Sequence, residues 1–247
     1  MGSETPKVLL TGAAGHIGRT FYEAARGHYR FVLTDLLQLD YDIEHEDTYI
    51  QVDLSKPGAA ESLTDQADVI VHMAAEADET SGFEDLLAPN IVMTTLLLDA
   101  AAASGVSRVV YASSLHTVHG YPDDRPVADG LPVSPLNLYG ATKCYGEALC
   151  ACYADTTDLS IIALRIGHFE EYGSAAITNA FDCSAWISPR DIVQFITCAI
   201  EAPDIKYFIA HGVSNNRVKR LDLAETRRVL GYEPEDDAFE LFDVWRS

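Results

Sequence analysis

The sequence predicts an α/β fold, a doubly wound parallel sheet with helices on both faces. Three observations predict it. Short apolar runs alternate with segments of helical periodicity along the whole chain. The runs are apolar on both sides, as strands covered on both faces must be. Several end in Gly, Asp or Ser, at the carboxyl ends where such sheets bind ligands. Right-handed crossovers then set the winding.

The elements follow in order. Val8 to Thr11 reads as the first strand, and 17–27 has helical spacing. Arg30 to Thr34 reads as a strand ending at Asp35, and Tyr49 to Val52 as one ending at Asp53. Pro57 suits the first turn of a short helix reaching Asp65. Asp68 to His72 is the fourth strand, and Phe83 to Ser104 is a long helix with Gly105 as its cap. Arg108 to Ala112 is the fifth strand, 135–153 a helix, 159–165 a strand and 189–202 a helix. Tyr207 to Ala210 is a late strand, and 221–230 a helix ended by Gly231. No internal repeat or low-complexity tract interrupts this alternation.

Composition narrows the function. The 247 residues are 48% hydrophobic and 22% charged, enough for a sizeable core. Apolar runs such as Ile91-Val92-Met93 and Leu96-Leu97-Leu98 are short of a bilayer, and Met1 to Lys7 lacks an apolar h-region. A cytoplasmic protein is expected, with no membrane partner. Lys plus Arg number 17 against 38 Asp plus Glu, giving a net charge of -21. Such a surface repels phosphate backbones, so no nucleic-acid partner is expected. The acids are scattered, which suits a halophilic protein in a salt-rich cytoplasm, where the Debye length is about 3 Å at 1 M. The five cysteines form no CxxC pair and are expected to be reduced thiols. His116, His119 and His211 have no Cys or carboxylate at ligand spacing, so no metal is expected. Trp186 and Trp245 are expected in the core or at an interface.

Two motifs carry chemistry. Gly12, Gly15 and Gly18, with His16 and Ile17 between the last two, follow a strand and open a helix. Glycine lets the backbone turn tightly and approach a pyrophosphate, which the helix N–H groups then face. Asp35 lies 20 residues beyond Gly15, where a carboxylate can accept from ribose hydroxyls. It would repel a 2′-phosphate, and 36–42 contains no cation, so NAD is expected over NADP. Asp53, followed by Leu54, could accept from the adenine amino group or serve as a helix N-cap. Met73, Ala74 and Ala75 after strand four, and Ile166 after strand six, end at the same sheet edge. Glu76, just beyond, could reach a sugar or belong to the acidic surface.

The second motif is Tyr139-x-x-x-Lys143 on a helix, preceded by Ser113-Ser114 after strand five. The i, i+4 spacing puts both side chains on one face. A nearby ammonium lowers a phenol's pKa from about 10. Tyr139 can then act as a general base on a hydroxyl.

With TGAAGHIG at 11–18, Asp35, Asn90, YASS at 111–114 and Tyr139–Lys143 together, the chain resembles the extended, or atypical, short-chain dehydrogenase/reductase family of NAD-dependent epimerases and dehydratases. Within it the chain is most similar to uronate dehydrogenases and related sugar dehydrogenases, through YASSLHTVHGY, LNLYGATKCYGEAL, LRIGHF and LGYEPED. The resemblance implies a Rossmann-type core over 1–165. The remainder, 166–247, is a small substrate-binding part with the last strand and helices of the same domain. It implies NAD-dependent oxidation of a cyclic aldose (sugar, sugar phosphate or uronate) at C1 to the lactone, by Ser114, Tyr139 and Lys143. Asn90 would support a water relay or the fold, and His116 would contact substrate. Leu115, His168 and Phe181 stand where uronate enzymes carry an asparagine, a serine and a carboxylate-binding arginine, which implies a neutral aldose. The alternative is a nucleotide-sugar epimerase or dehydratase with tightly bound NAD; a non-catalytic NAD sensor is opposed by the intact Ser114, Tyr139 and Lys143. A homo-oligomer, dimer or tetramer, is expected by analogy.

Overall fold

A computed structural model describes residues 5–243 of the chain; Trp245 lies outside them. The strands are β1 (Lys7–Thr11), β2 (Arg30–Asp35), β3 (Thr48–Gln51), β4 (Val69–His72), β5 (Arg108–Ser114), β6 (Ser160–Ile166), β7 (His168–Phe169), β8 (Trp186–Ile187) and β9 (Tyr207–Gly212). The helices are α1 (His16–Ala25), α2 (Glu61–Thr64), α3 (Phe83–Leu86), α4 (Met93–Ala103), α5 (Leu138–Thr156), α6 (Ala180–Ala185), α7 (Pro189–Glu201), α8 (Ala224–Leu230) and α9 (Ala238–Leu241). Seven strands form one parallel sheet in the order β3-β2-β1-β4-β5-β6-β9. Strand order reverses direction between β1 and β4, and there the carboxyl ends open a crevice.

Side-chain alternation accounts for the all-apolar strands. Val8, Leu10, Phe31, Leu33, Val71 and Val110 pack on one face with Phe21 of α1 and Phe195 of α7. Leu9, Val32, Ile70, Val109 and Ile161 pack on the other with Leu97 of α4 and Cys150 of α5. The strands β1, β2, β4, β5 and β6 are thus buried on both faces, whereas the edge strand β3 is exposed or half-buried along its length.

Several local expectations differ from what is observed. The long helix is continuous from Phe83, but Leu87–Val92 is a π-helical segment. Pro89 sits inside it and lacks a backbone donor, so the regular ladder cannot pass through. Gly105 is not the cap: Ser104 ends α4 in an extended conformation. Gly231 does end α8 in the left-handed region, φ 69°. The helix after Pro57 shrinks to one turn, α2. The segment 166–189 adds a small parallel pair, β7 with β8. Phe83–Ala103, taken whole, has the length and apolarity of a membrane span, with mean hydropathy 1.6. It packs against α2 and α5 as a covering helix of the sheet. All five cysteines are free thiols, and no metal-binding cluster exists among the described residues.

Candidate active site

Two adjoining clefts run along the carboxyl edge of the sheet. Met73 and Ala75 line both, so the clefts are continuous.

The first cleft is lined by Gly12, Gly15, Asp35, Asp53, Leu54 and Ala74, among others. Gly12 has φ 72°, and a Cβ there would lie 2.6 Å from Ala74 N. A Cβ on Gly18 would collide with Gly12 O, so Gly18 serves the helix-to-loop contact rather than the cleft. Asp35 holds the glycine loop, since Oδ2 accepts from Ala14 N at 2.9 Å and Oδ1 from Leu37 N at 3.0 Å. Each oxygen keeps a further lone pair for a hydroxyl donor. No Lys or Arg lines this cleft among the described residues. A glycine cradle, a carboxylate and no cation fit a dinucleotide without a 2′-phosphate. Asp53 turns inward on its own loop: Oδ1 accepts from Ser55 N and Oγ at 2.9 and 2.6 Å. These bonds hold its carboxyl below the usual range. The first helix beyond it, α2, starts only at Glu61, so Asp53 is not a helix N-cap.

The second cleft is lined by Ser114, Leu115, His116, Tyr139, Lys143, Ile166, His168 and Phe181. Tyr139 is buried, and Ser114 lines the same cleft beside it. Ser114 Oγ also accepts from His116 N at 3.2 Å, capping the 3-10 turn Leu115–Val118. Lys143 is buried and donates to Ala112 O at 2.8 Å, with Nζ 5.7 Å from the Tyr139 ring centre. Burial lowers its pKa to about 8. Burial also raises the Tyr139 phenol, the nearby Ser114 hydroxyl opposes this, and the Glu76 charge adds to it. The phenol lowered by Lys143 is therefore not what this geometry gives: desolvation outweighs the ammonium. Asn137 caps α5 through Gly140 N, and its Nδ2 donates to His116 Nδ1 at 3.0 Å. That leaves the ring proton on Nε2, 3.6 Å from Glu79.

Other expected site residues lie apart. His16 lines a separate surface depression with Arg19 and Glu170, whereas Ile17 reaches the Tyr139 cleft. Glu76 lines the first cleft, not the second. Asn90 is buried and fully engaged: its oxygen accepts from Glu76 N, and its nitrogen donates to Glu76 O and Thr142 Oγ1. It ties the loop after β4 to α5.

Motif reading missed Glu79, His119, Glu170 and Asp182, which line the second cleft from loops and the start of α6. It also missed Gly140 and Gly146. A Cβ on Gly140 would lie 2.5 Å from His116 O, and one on Gly146 would collide with the buried Tyr111 hydroxyl. Gly140 lets α5 lie against the turn Leu115–Val118 and Gly146 lets it lie against β5, and their spacing within YGATKCYG was the available signal.

Known proteins share the family and the fold of this chain. A family profile described as NAD dependent epimerase/dehydratase matches residues 8–183. The uronate dehydrogenase of Pseudomonas putida is 31% identical over 94% of this chain and 85% of its own. The NAD-dependent glucose-6-phosphate dehydrogenase of Haloferax volcanii is 30% identical over 94% of each. A mutant uronate dehydrogenase from Agrobacterium tumefaciens complexed with NAD superposes with a TM-score of 0.86, at 31% identity, over 95% of this chain and 86% of that one.

Proposed function

The chain belongs to the NAD-dependent epimerase/dehydratase family, and from that premise we propose an NAD-dependent sugar 1-dehydrogenase that oxidises a cyclic aldose at C1 to the lactone. The observation that carries the reading is the meeting of Ser114, Tyr139 and Lys143 where the glycine-lined cleft opens into the second one.

Gly12, Gly15 and the start of α1 would hold the cofactor's pyrophosphate, Asp35 its adenosine ribose, and Lys143 its nicotinamide ribose. NAD, when bound, supplies the hydride acceptor. Ser114 holds the C1 hydroxyl in place. Tyr139, which lines the cleft with Ser114, takes the hydroxyl proton in its phenolate form as C1 becomes a carbonyl. Lys143 fixes the edge of β5 through Ala112 O, and its positive charge favours the phenolate form of Tyr139 that accepts the proton. Leu115 and Phe181 add apolar surface that limits water around the reacting carbon.

A nucleotide-sugar epimerase shares the Tyr–Lys pair but must also seat a diphosphate. Among the described residues lining the second cleft, Lys143 is the only Lys or Arg, and it is bonded to the backbone. That favours the dehydrogenase. The acidic surface supports a salt-rich cytoplasm as the working compartment. Exposed Leu138 and Tyr145 on α5, with Leu136 and Phe83, offer an apolar face for a homodimer or tetramer. A panel of aldoses, uronates and sugar phosphates with NAD at molar salt, followed by NADH absorbance, tests the activity. NADH formation with an aldose is expected. NAD retained through purification, with no net NADH from any sugar, would instead indicate the epimerase.

A further inference from the structure

This inference rests on the dehydrogenase reading and concerns the charge of its sugar. Three carboxylates, Glu79, Glu170 and Asp182, line the cleft beside Tyr139. Against them, among the described lining residues, stands the Lys143 ammonium, buried and bonded to Ala112 O. A second cation is close but already engaged. The Arg220 guanidinium lies 5.7 Å from the centre of the Phe181 ring, and Phe181 rather than Arg220 lines the cleft. Arg220 is buried and donates to the carbonyl oxygens of His119, Tyr121 and Pro122 at 3.1, 2.7 and 2.9 Å. Asp123 sits 3.4 Å away and takes up its charge. His119 stacks on the same Phe181 ring, with centroids 5.3 Å apart and planes 13° apart. Among the imidazoles, burial holds His116 below the ordinary histidine value, so it adds no positive charge at neutral pH.

An anionic substrate group would therefore meet net negative charge in a partly desolvated cleft, where repulsion exceeds that in bulk water. Hydroxyl groups meet the opposite situation. Each carboxylate offers about four acceptor sites, and Glu170 accepts from Ser174 Oγ at 2.7 Å and faces His168 Nε2 at 3.4 Å, with sites left over. Bonds from a neutral hydroxyl to an ionised acceptor are short and strong. We infer that the site takes a neutral aldose, with Glu79, Glu170 and Asp182 excluding sugars that carry a carboxylate or phosphate away from C1.

The test compares kcat/KM at pH 8, where an ordinary imidazole is neutral, in molar KCl. The sugars are matched and differ at C6: D-galactose against D-galacturonate, and D-glucose against D-glucuronate and D-glucose 6-phosphate. The neutral member of each pair should lead by about tenfold or more. Parity, or an advantage for the anion, overturns the inference and leaves the dehydrogenase reading standing. NADH from none of the sugars removes that reading and this inference with it. The double substitution Glu79→Gln and Glu170→Gln should shrink the neutral-to-anion ratio by about threefold or more. The ratio is read within one preparation, so partial loss of folded enzyme cancels. An unchanged ratio overturns the role given to the carboxylates.

Discussion

Glu147 and Arg165 bond in two prongs between α5 and β6, Nε to Oε1 and Nη2 to Oε2, both at 2.8 Å. Ser113 Oγ donates to the same Oε1 at 2.6 Å. Ser113 is the neighbour of Ser114, and Glu147 lies one helical turn beyond Lys143. The buried pair therefore ties the strand that presents Ser114 to the helix that presents Tyr139 and Lys143. Arg165 also faces His211 Nε2 at 3.4 Å, a neutral group that cannot replace the carboxylate.

Glu147→Ala should leave the Arg165 guanidinium buried without a counter-charge. Breaking such a pair from one side costs about 3–5 kcal/mol. Urea unfolding at molar salt should show the loss as a lower midpoint with an unchanged slope. A change below about 1 kcal/mol would mean the pair contributes no more than an exposed one.

Tyr139→Phe removes the proton acceptor and keeps the ring that packs 5.4 Å from His116. Turnover should fall by roughly 10²–10⁴-fold. NAD affinity, which the proposed function assigns mainly to Gly12 and Asp35, should change little. Steady-state rates and NAD titration on one preparation check both. Activity within threefold of the parent would remove Tyr139 as the base.

What was legible in the sequence was what local chemistry dictates. The strand-to-glycine turn at Gly12 and the Tyr139–Lys143 spacing each need nothing beyond a few residues of chain. The parallel, doubly wound character of the sheet followed from alternation and handedness. What stayed hidden depends on chain returning from afar. Glu170 and Asp182 reach the Tyr139 cleft only because β7 and β8 pair with α6 between them in the chain, and two-residue strands leave no periodic trace. The π segment at Leu87–Val92 reads as ordinary helix because its apolar spacing is nearly unchanged. The direction of the Tyr139 shift was misread for the same reason. The i, i+4 spacing places Lys143 near the phenol, but only the tertiary structure shows that both are desolvated and that the ammonium is bonded elsewhere.

Acid should destabilise the protein through two buried imidazoles before most carboxylates titrate. His72 lies between Thr11 Oγ1 at 2.7 Å and Thr94 Oγ1 at 3.4 Å, and burial lowers its pKa to about 3. Burial, then the Arg165 charge, lowers His211 to about 4. Both are below the unfolded value, about 6.5. Between those values the unfolded chain binds protons that the folded chain refuses, so stability falls as pH falls. Each imidazole contributes a slope of up to about 1.4 kcal/mol per pH unit. Denaturant midpoints at pH 7 and pH 5 in molar KCl should differ accordingly. His72→Gln should flatten the dependence by about half; an unaltered slope would show that His72 is not the group responsible.

The last prediction concerns salt. The 38 acids exceed the 17 cations, and several of those cations are already paired on the surface, as Arg19 is with Glu23 and Asp40. The excess carboxylates are thus left facing one another across solvent. How far each one acts depends on the Debye length, about 3 Å at 1 M and about 30 Å at 0.01 M. A folded chain of this size has a radius of gyration of roughly 18 Å. At molar salt a carboxylate acts only on its immediate neighbours; at about 10 mM it acts on charges across the whole molecule. Unfolding separates those charges, so desalting should favour the unfolded chain. Circular dichroism and activity should both decline between molar KCl and about 10 mM. Screening depends on ionic strength and not on the ion, so NaCl should protect as well as KCl at equal concentration. Sucrose strengthens burial without supplying charge, so it should protect less. Equal stability at both ends of the series would refute salt adaptation. Full protection by sucrose alone would show that exclusion from the surface, and not screening, holds the fold together.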